Sequence, residues 1–406
     1  MPQPPCGSRD GCHDGGVKYV VLVPDGASDA SDPSLGGSTP LEVASMPNLA
    51  KLAARGEVGR AATIPAGLPP GSDVGNMSIF GYDPGEYHTG RAPIEAAAMG
   101  IELGPDEVAY RCNLVTVDEF GTMVDFSAGH IASDLSRPII EAVDAELGAG
   151  RDGIRFHPGV MYRHIMVVPK SLAEAECTPP HDLSDKSIVL PTRGSAAAKI
   201  AALQEASKEI VRAKAAELGA KATQIWLWGQ GARPTMPRFA DRFGIEGRLV
   251  TAVDLVRGLG VLTGIDPVEV EGATGYYDTN YEGKRDACIN SLVDRDLFVL
   301  HVEATDEAGH NGELDRKVEA LEHWDRRIIG PLLDALDGMG PYRILLLPDH
   351  ATPCALKTHT TDPVPYLFFD STTDGPGGAY TEAATMRCTP VVGHLLMNKL
   401  VGSPSA

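Results

Sequence analysis

Three apolar runs in this chain end at metal-ligand side chains, and that recurrence limits what the sequence can fold into. Arg343-Ile344-Leu345-Leu346-Leu347-Pro348 stops at Asp349-His350. Tyr19-Val20-Val21-Leu22-Val23-Pro24 stops at Asp25, and Leu297-Phe298-Val299-Leu300-His301-Val302 leads into Asp306 and His310. Short apolar runs of this kind read as buried strands, and open α/β sheets build their sites at strand C-termini. The pattern predicts a metalloenzyme on a doubly wound α/β sheet.

The 406 residues allow one large core and a second, smaller domain, and a hydrophobic content of 43% excludes wholesale disorder. A formal net charge of -20 argues against nucleic acid or an anionic membrane as partner, although bound cations can invert the field within one cleft. Seven cysteines at irregular spacing make no disulfide framework, which points to a reduced, cytoplasmic setting. Cys6, Cys12 and His13 fall in a polar, Gly- and Pro-rich stretch, and residues 1–16 read as a flexible extension. It contains no apolar segment like that of a secretory signal, and no span in the chain is long enough to cross a bilayer. No membrane partner is expected, and homo-oligomer formation is left open.

From Val17 onward, apolar runs alternate with helical segments, one of them near Met46–Arg55. Residues 17–104 and 191–406 are expected to form the metal-binding α/β domain. Residues 105–190 read as an inserted α+β cap, with β-like runs at Cys112–Val117, Gly121–Phe126 and His164–Val168 around a helix near Arg137–Leu147. A long Ala-rich helix over 194–218 and a strand at Gln224–Trp228 then restart the alternation.

Taken singly, each ligand candidate has an ordinary reading. Asp25 is a turn or cap residue, Asp306 and His310 are an exposed pair one helical turn apart, and His359 is a loop histidine. Together with Asp349 and His350 they supply three carboxylates and three imidazoles, and no thiolate. That set suits two divalent ions such as Mn²⁺ or Zn²⁺, the usual apparatus for displacement at phosphorus. Ser72, in Pro70-Gly71-Ser72-Asp73-Val74, is the candidate nucleophile. Equally, it caps a helix starting near Val74, and both readings can hold.

Longer stretches carry a resemblance. Val23-Pro24-Asp25-Gly26, Thr39-Pro40-Leu41-Glu42, Phe80-Gly81-Tyr82-Asp83-Pro84, Thr89-Gly90-Arg91 and Ser127-Ala128-Gly129-His130-Ile131 resemble the archaeal-type 2,3-bisphosphoglycerate-independent phosphoglycerate mutase family, of the alkaline phosphatase superfamily. So do Tyr162-Arg163-His164, Pro180-His181-Asp182, Trp226-Leu227-Trp228-Gly229-Gln230-Gly231, Asp306-Glu307-Ala308-Gly309-His310 and the segment from Asp349-His350 to His359. The similarity runs from about Lys18 to the C-terminus. It implies an alkaline-phosphatase-like sheet with one inserted cap, and a cytoplasmic, glycolytic isomerase that interconverts 3- and 2-phosphoglycerate without 2,3-bisphosphoglycerate.

The resemblance also implies roles. Asp306, His310 and His359 would hold one ion, and Asp25, Ser72, Asp349 and His350 a second. Mn²⁺ is the expected metal, with Zn²⁺, Co²⁺ or Mg²⁺ as substitutes, and Ser72 is the residue phosphorylated. His130, Arg163 and His164 join the substrate-binding set, with Arg233 and Lys284 as further contacts that read equally as surface or interdomain polar residues. Ala50 stands where an acidic residue is common and Ala92 where Gly or Ser is usual. These departures leave an alternative: a related metal-dependent phosphotransferase or phosphohydrolase acting on another phosphorylated or phosphonate acid in specialised metabolism.

Overall fold

A computed structural model describes residues 16–402. The extension expected over 1–16, with Cys6, Cys12 and His13, lies outside the described residues apart from Gly16. Strand Lys18–Pro24 sits inside an eight-stranded sheet, between Leu297–Val302 and Tyr342–Leu346, and pairs in parallel with both. Gly247–Val250 and Asp266–Pro267 extend the parallel part beyond Leu297–Val302. On the other flank, Val364–Asp370 and Glu57–Ala62 run antiparallel to their inner neighbours, and Val391–Val392 closes the edge.

Burial on both faces puts the three apolar runs in the middle. Val20 and Leu22 pack with Phe298, Leu300 and Ile344 under Tyr281, Leu321 and Trp324 of the covering helices. Val21 and Val23 point the other way, joining Val299 and Leu345 in a core shared with Met77, Phe80 and Leu259. Each such side chain contributes about 1.5–3 kcal/mol on burial. The shared parallel direction then makes the chain leave all three strands at one edge. Asp25, Asp306 and Asp349 are delivered there.

The second sheet is antiparallel, in the order Met123–Asp125, Glu107–Val117, Arg163–Pro169, Arg155–His157, with Gln224–Ala232 also paired to Glu107–Val117. This corrects the boundary expected at residue 190. Helix Ala197–Leu218 buries Ile200, Leu203 and Val211 against Ile139, Ile140 and Val143 of helix Ser133–Leu147. Gln204 Oε1 accepts the Leu227 N–H at 2.6 Å, tying that helix to the next strand. Both elements therefore belong with the cap. An apolar helical stripe does not say which of two sheets it covers, so the alternation alone could not place them.

Cap and core meet through a buried ion pair. Arg111 of the cap strand lies 2.7 Å from Glu95 of helix Arg91–Ala98, and its guanidinium sits 4.3 Å from the Trp228 ring centroid. No helix among the described residues is long and apolar enough to cross a membrane.

Candidate active site

Ser72 is the first residue of helix Ser72–Ile79, every residue of which is buried. Gly71 is the N-cap and no side chain caps this end, so the capping reading of Ser72 gives way. The hydroxyl turns to the sheet edge instead, with Oγ 3.3 Å from His350 Nε2. The helix docks at very close range, and a Cβ on Gly75 would stand 2.3 Å from the Asp349 carbonyl oxygen. One turn after Ser72, Asn76 Nδ2 donates to the Ser72 carbonyl at 3.0 Å and to Asp349 Oδ2 at 2.8 Å. Asp349 Oδ1 accepts from the backbone N–H groups of Gly26 at 3.2 Å and His350 at 3.1 Å. Donors from three separate segments therefore fix one carboxylate.

Asp25 and His350 complete this half of the site. Asp25 Oδ1 is 3.5 Å from His350 Nε2 and, although buried, has no hydrogen-bond partner. His350 Nε2 is also 3.4 Å from Asp349 Oδ2.

The other half comes from helix Ala304–Asn311 and the loop after Asp349-His350. His310 Nε2 lies 3.3 Å from Asp306 Oδ2, as the four-residue spacing on one helix predicts. His359 Nε2 is 3.4 Å from Asp306 Oδ1 and 2.9 Å from His310 Nε2. His310 Nδ1 sits 3.1 Å from the Lys357 carbonyl, so it carries the proton and the Nε2 lone pair faces the set. Thr352 links the halves, with Oγ1 donating to Asp306 Oδ1 at 2.5 Å and lying 3.1 Å from His350 Nδ1. The His350 and His359 rings are 3.9 Å apart, so the two sets abut.

Cations fit this arrangement. Burial, then the charges of Asp349 and Asp306, push the Asp25 carboxyl well above its usual range. Burial pulls the His350 imidazole down to about 4, so it is neutral and able to ligate. Burial would also raise Asp306, but the adjacent imidazoles of His310 and His359 hold it well below the carboxylate range. Three crowded carboxylates, an orphaned carboxylate oxygen and two imidazole nitrogens face to face are the donor set of hard or borderline divalent ions.

Sequence reading missed two neighbours of the candidate ligands, His301 and Asn76. Donor atoms of Asp25, His301 and Asp349 lie within 4.8 Å of one another, as do those of Asp306, His350 and His359. The signal for His301 was an imidazole inside an otherwise apolar strand. Asn76 could have been found from its position one helical turn after Ser72.

A cleft of about 550 Å³ opens against His310 and His359, lined on the core side by Asp73, His88 and Arg91 and on the cap side by His181, Trp228 and Gln230. Burial alone would raise Asp73, but Arg91 and His88 hold it well below the carboxylate range, so an ionised acid sits beside the Arg91 guanidinium. A second cavity, of about 430 Å³ around Leu41, Met46 and Tyr380, holds none of the ligand residues.

None of the five expected substrate contacts lines the cleft. Lys284 is fully buried, with Nζ 2.5 Å from Glu303 Oε2 and 2.9 Å from the His301 carbonyl. His164 is buried and its Nδ1 accepts the Gly159 N–H at 3.0 Å, while Arg163 faces Asp254 at 3.6 Å. Both border a different crevice, with Glu95 and Arg257. His130 stays at the cap surface, 3.3 Å from Ser127 Oγ, and Arg233 borders a separate cavity with Val261 and Leu262.

Comparison with known proteins agrees with this architecture. The model of the 2,3-bisphosphoglycerate-independent phosphoglycerate mutase family matches residues 53–217. The chain is 47% identical over 373 residues to the probable 2,3-bisphosphoglycerate-independent phosphoglycerate mutase of Geobacter sulfurreducens, covering 89% of this chain and 93% of that one. It is also 47% identical to the 2,3-bisphosphoglycerate-independent phosphoglycerate mutase of Methanosarcina acetivorans, with coverage of 89% and 93%. Among solved structures, the PH0037 protein of Pyrococcus horikoshii superposes with a TM-score of 0.77 at 26% identity, covering 96% of this chain and 98% of that one. The cofactor-independent phosphoglycerate mutase of Thermoplasma acidophilum shares the fold, with a TM-score of 0.64 at 24% identity and coverage of 95% and 99%. Identity at this level, across sheet and cap together, places the chain in one family: it belongs to the 2,3-bisphosphoglycerate-independent phosphoglycerate mutases.

Proposed function

We propose that this chain interconverts 3-phosphoglycerate and 2-phosphoglycerate through a phosphoserine at Ser72. The observation that carries the reading is the position of the Ser72 hydroxyl, at a helix N-terminus and 3.3 Å from His350 Nε2, where the two ligand sets meet. Asp25, Ser72, Asp349 and His350 would hold one divalent ion, and Asp306, His310 and His359 the other. When bound, such ions neutralise phosphoryl oxygens and lower the pKa of an oxygen nucleophile.

The chain's own groups account for the rest. Ser72 Oγ gives up its proton and forms the new bond to phosphorus while the bond from phosphorus to the glycerate oxygen breaks, and that oxygen takes up a proton. The backbone amides at the start of helix Ser72–Ile79 face the transferred group. Arg91, with His88 and His181, supplies positive or hydrogen-bonding character where the glycerate carboxylate would lie. The cap closes the cleft over glycerate, so the second hydroxyl, not water, takes the phosphoryl group back from Ser72. The expected metal is Mn²⁺.

The test is incubation with 3-phosphoglycerate and Mn²⁺, with 2-phosphoglycerate read out through enolase, for the wild type and Ser72→Ala. The wild type should turn over and yield an acid-stable phosphoserine on quenching, and Ser72→Ala should lose both. A metal-loaded wild type without turnover would remove the mutase reading. Release of free phosphate in place of the isomer would favour a phosphohydrolase whose cap does not retain the acid.

A further inference from the structure

Behind Asp25 lies a buried chain of polar groups that the proposed chemistry does not use. Lys284 and His301 have no exposed surface and Glu303 has 3%. Lys284 Nζ is 2.5 Å from Glu303 Oε2, Glu303 Oε1 is 3.1 Å from His301 Nδ1, and His301 Nε2 is 3.4 Å from Asp25 Oδ2. Ammonium, carboxylate, imidazole and carboxylate follow one another and end on a residue of the second ligand set.

The two oxygens of Asp25 face different neighbours. Oδ1 points toward His350 and lacks a hydrogen-bond partner; Oδ2 points toward His301, whose Nε2 also lacks one. An unpaired buried polar atom is costly, and a buried ammonium far more so unless it is paired. Phe298, Leu300 and Val302 show that this strand packs well with apolar residues, so packing alone does not call for His301. Glu303 is fixed in turn, because Oε1 accepts the Ala252 N–H at 2.5 Å and the Thr251 hydroxyl at 3.1 Å. Lys284 also donates to the His301 carbonyl at 2.9 Å, which ties it to the strand.

We infer that His301 is a positioning residue: held by Glu303 and Lys284, it sets Nε2 against Oδ2 of Asp25 and leaves Oδ1 free to ligate. This deepens the two-ion reading and rests on it. Outer partners of metal ligands typically change metal affinity by about 10–100-fold.

The test is Mn²⁺ titration of chelator-treated protein, with free ion followed by electron paramagnetic resonance, for the wild type, His301→Gln and His301→Leu. The Gln amide reaches the Nε2 position and keeps a polar group there; Leu does not. The expected result is two equivalents for the wild type, affinity within about threefold for Gln, and a loss of about 10–100-fold at one site for Leu. A wild type that binds no Mn²⁺ would remove the two-ion reading itself. A wild type that binds two, alongside Leu with unchanged affinity, would overturn only the positioning role. Gln as weak as Leu would also overturn it, by making His301 a direct ligand. Should Leu fail to fold, Glu303→Gln takes its place; it removes the charge that holds Nδ1, and weaker Mn²⁺ binding is expected, with unchanged affinity overturning the inference.

Discussion

Gly75→Ala separates helix propensity from site geometry in a single atom. In a solvent-exposed helix the change would stabilise by about 1 kcal/mol, because glycine loses more backbone freedom on folding. Here the new Cβ would meet the Asp349 carbonyl oxygen at 2.3 Å, its carbonyl carbon at 2.8 Å and its Cβ at 2.9 Å. Ordinary contact begins at 3.4 Å, so helix and loop must separate by roughly 1 Å, and two of the three opposing atoms are backbone. Overpacking of this kind costs about 1–3 kcal/mol, which outweighs the propensity gain. The displaced residue is a proposed ligand whose carboxylate is also bonded to Asn76 of the same helix. A misplacement of about 1 Å can cost about 10²-fold in rate. The variant should therefore unfold at lower urea in the presence of chelator, and its kcat should fall about 10²-fold in the enolase-coupled assay while secondary structure is retained. Wild-type kcat with wild-type or higher stability would refute the close docking of helix Ser72–Ile79 on Asp349.

Two further outcomes follow from buried groups. Burial holds His164 neutral, with its pKa pulled to about 3, so the unfolded chain binds the extra proton as pH falls below about 6.5. Stability is then full above that pH and declines below it, by about 1.4 kcal/mol at about pH 5.5. His164→Asn keeps an acceptor for the Gly159 N–H and should flatten this decline in urea unfolding between about pH 7 and 5; an unchanged slope would show that His164 does not titrate on unfolding. Lys284→Met leaves Glu303 buried without its cation and should destabilise by about 3–5 kcal/mol, whereas adding Glu303→Gln should recover part of the loss. Additive effects in the double variant would mean that the two side chains do not interact.

Much of the site was legible because ligand chemistry and strand pattern coincide in sequence. The runs ending at Asp25 and Asp349 had to be buried strands, and the spacing of Asp306 and His310 had to place both on one helix face. The structure makes Ser72 the first residue of its helix with Gly71 as the N-cap, so of the two readings the sequence leaves open the capping one gives way. Substrate contacts were less legible. The resemblance puts Lys284 and His164 among the substrate contacts, yet both are buried with partners in place. Arg91 and His181 stood in motifs already quoted, but nothing local said that they would face one cleft.

Periodicity, turn chemistry and side-chain type are local, and they determined the strands, the ligand inventory and the nucleophile candidate of this chain. Distance between segments is not local. The parallel pairing of Lys18–Pro24 with both neighbours brought three separate strand ends that carry candidate ligands into one site. The pairing of Gln224–Ala232 with Glu107–Val117 assigned that strand to the cap. The same packing buried Lys284 beside Glu303 and aimed His301 at Asp25, a relation between residues that only the folded core brings together.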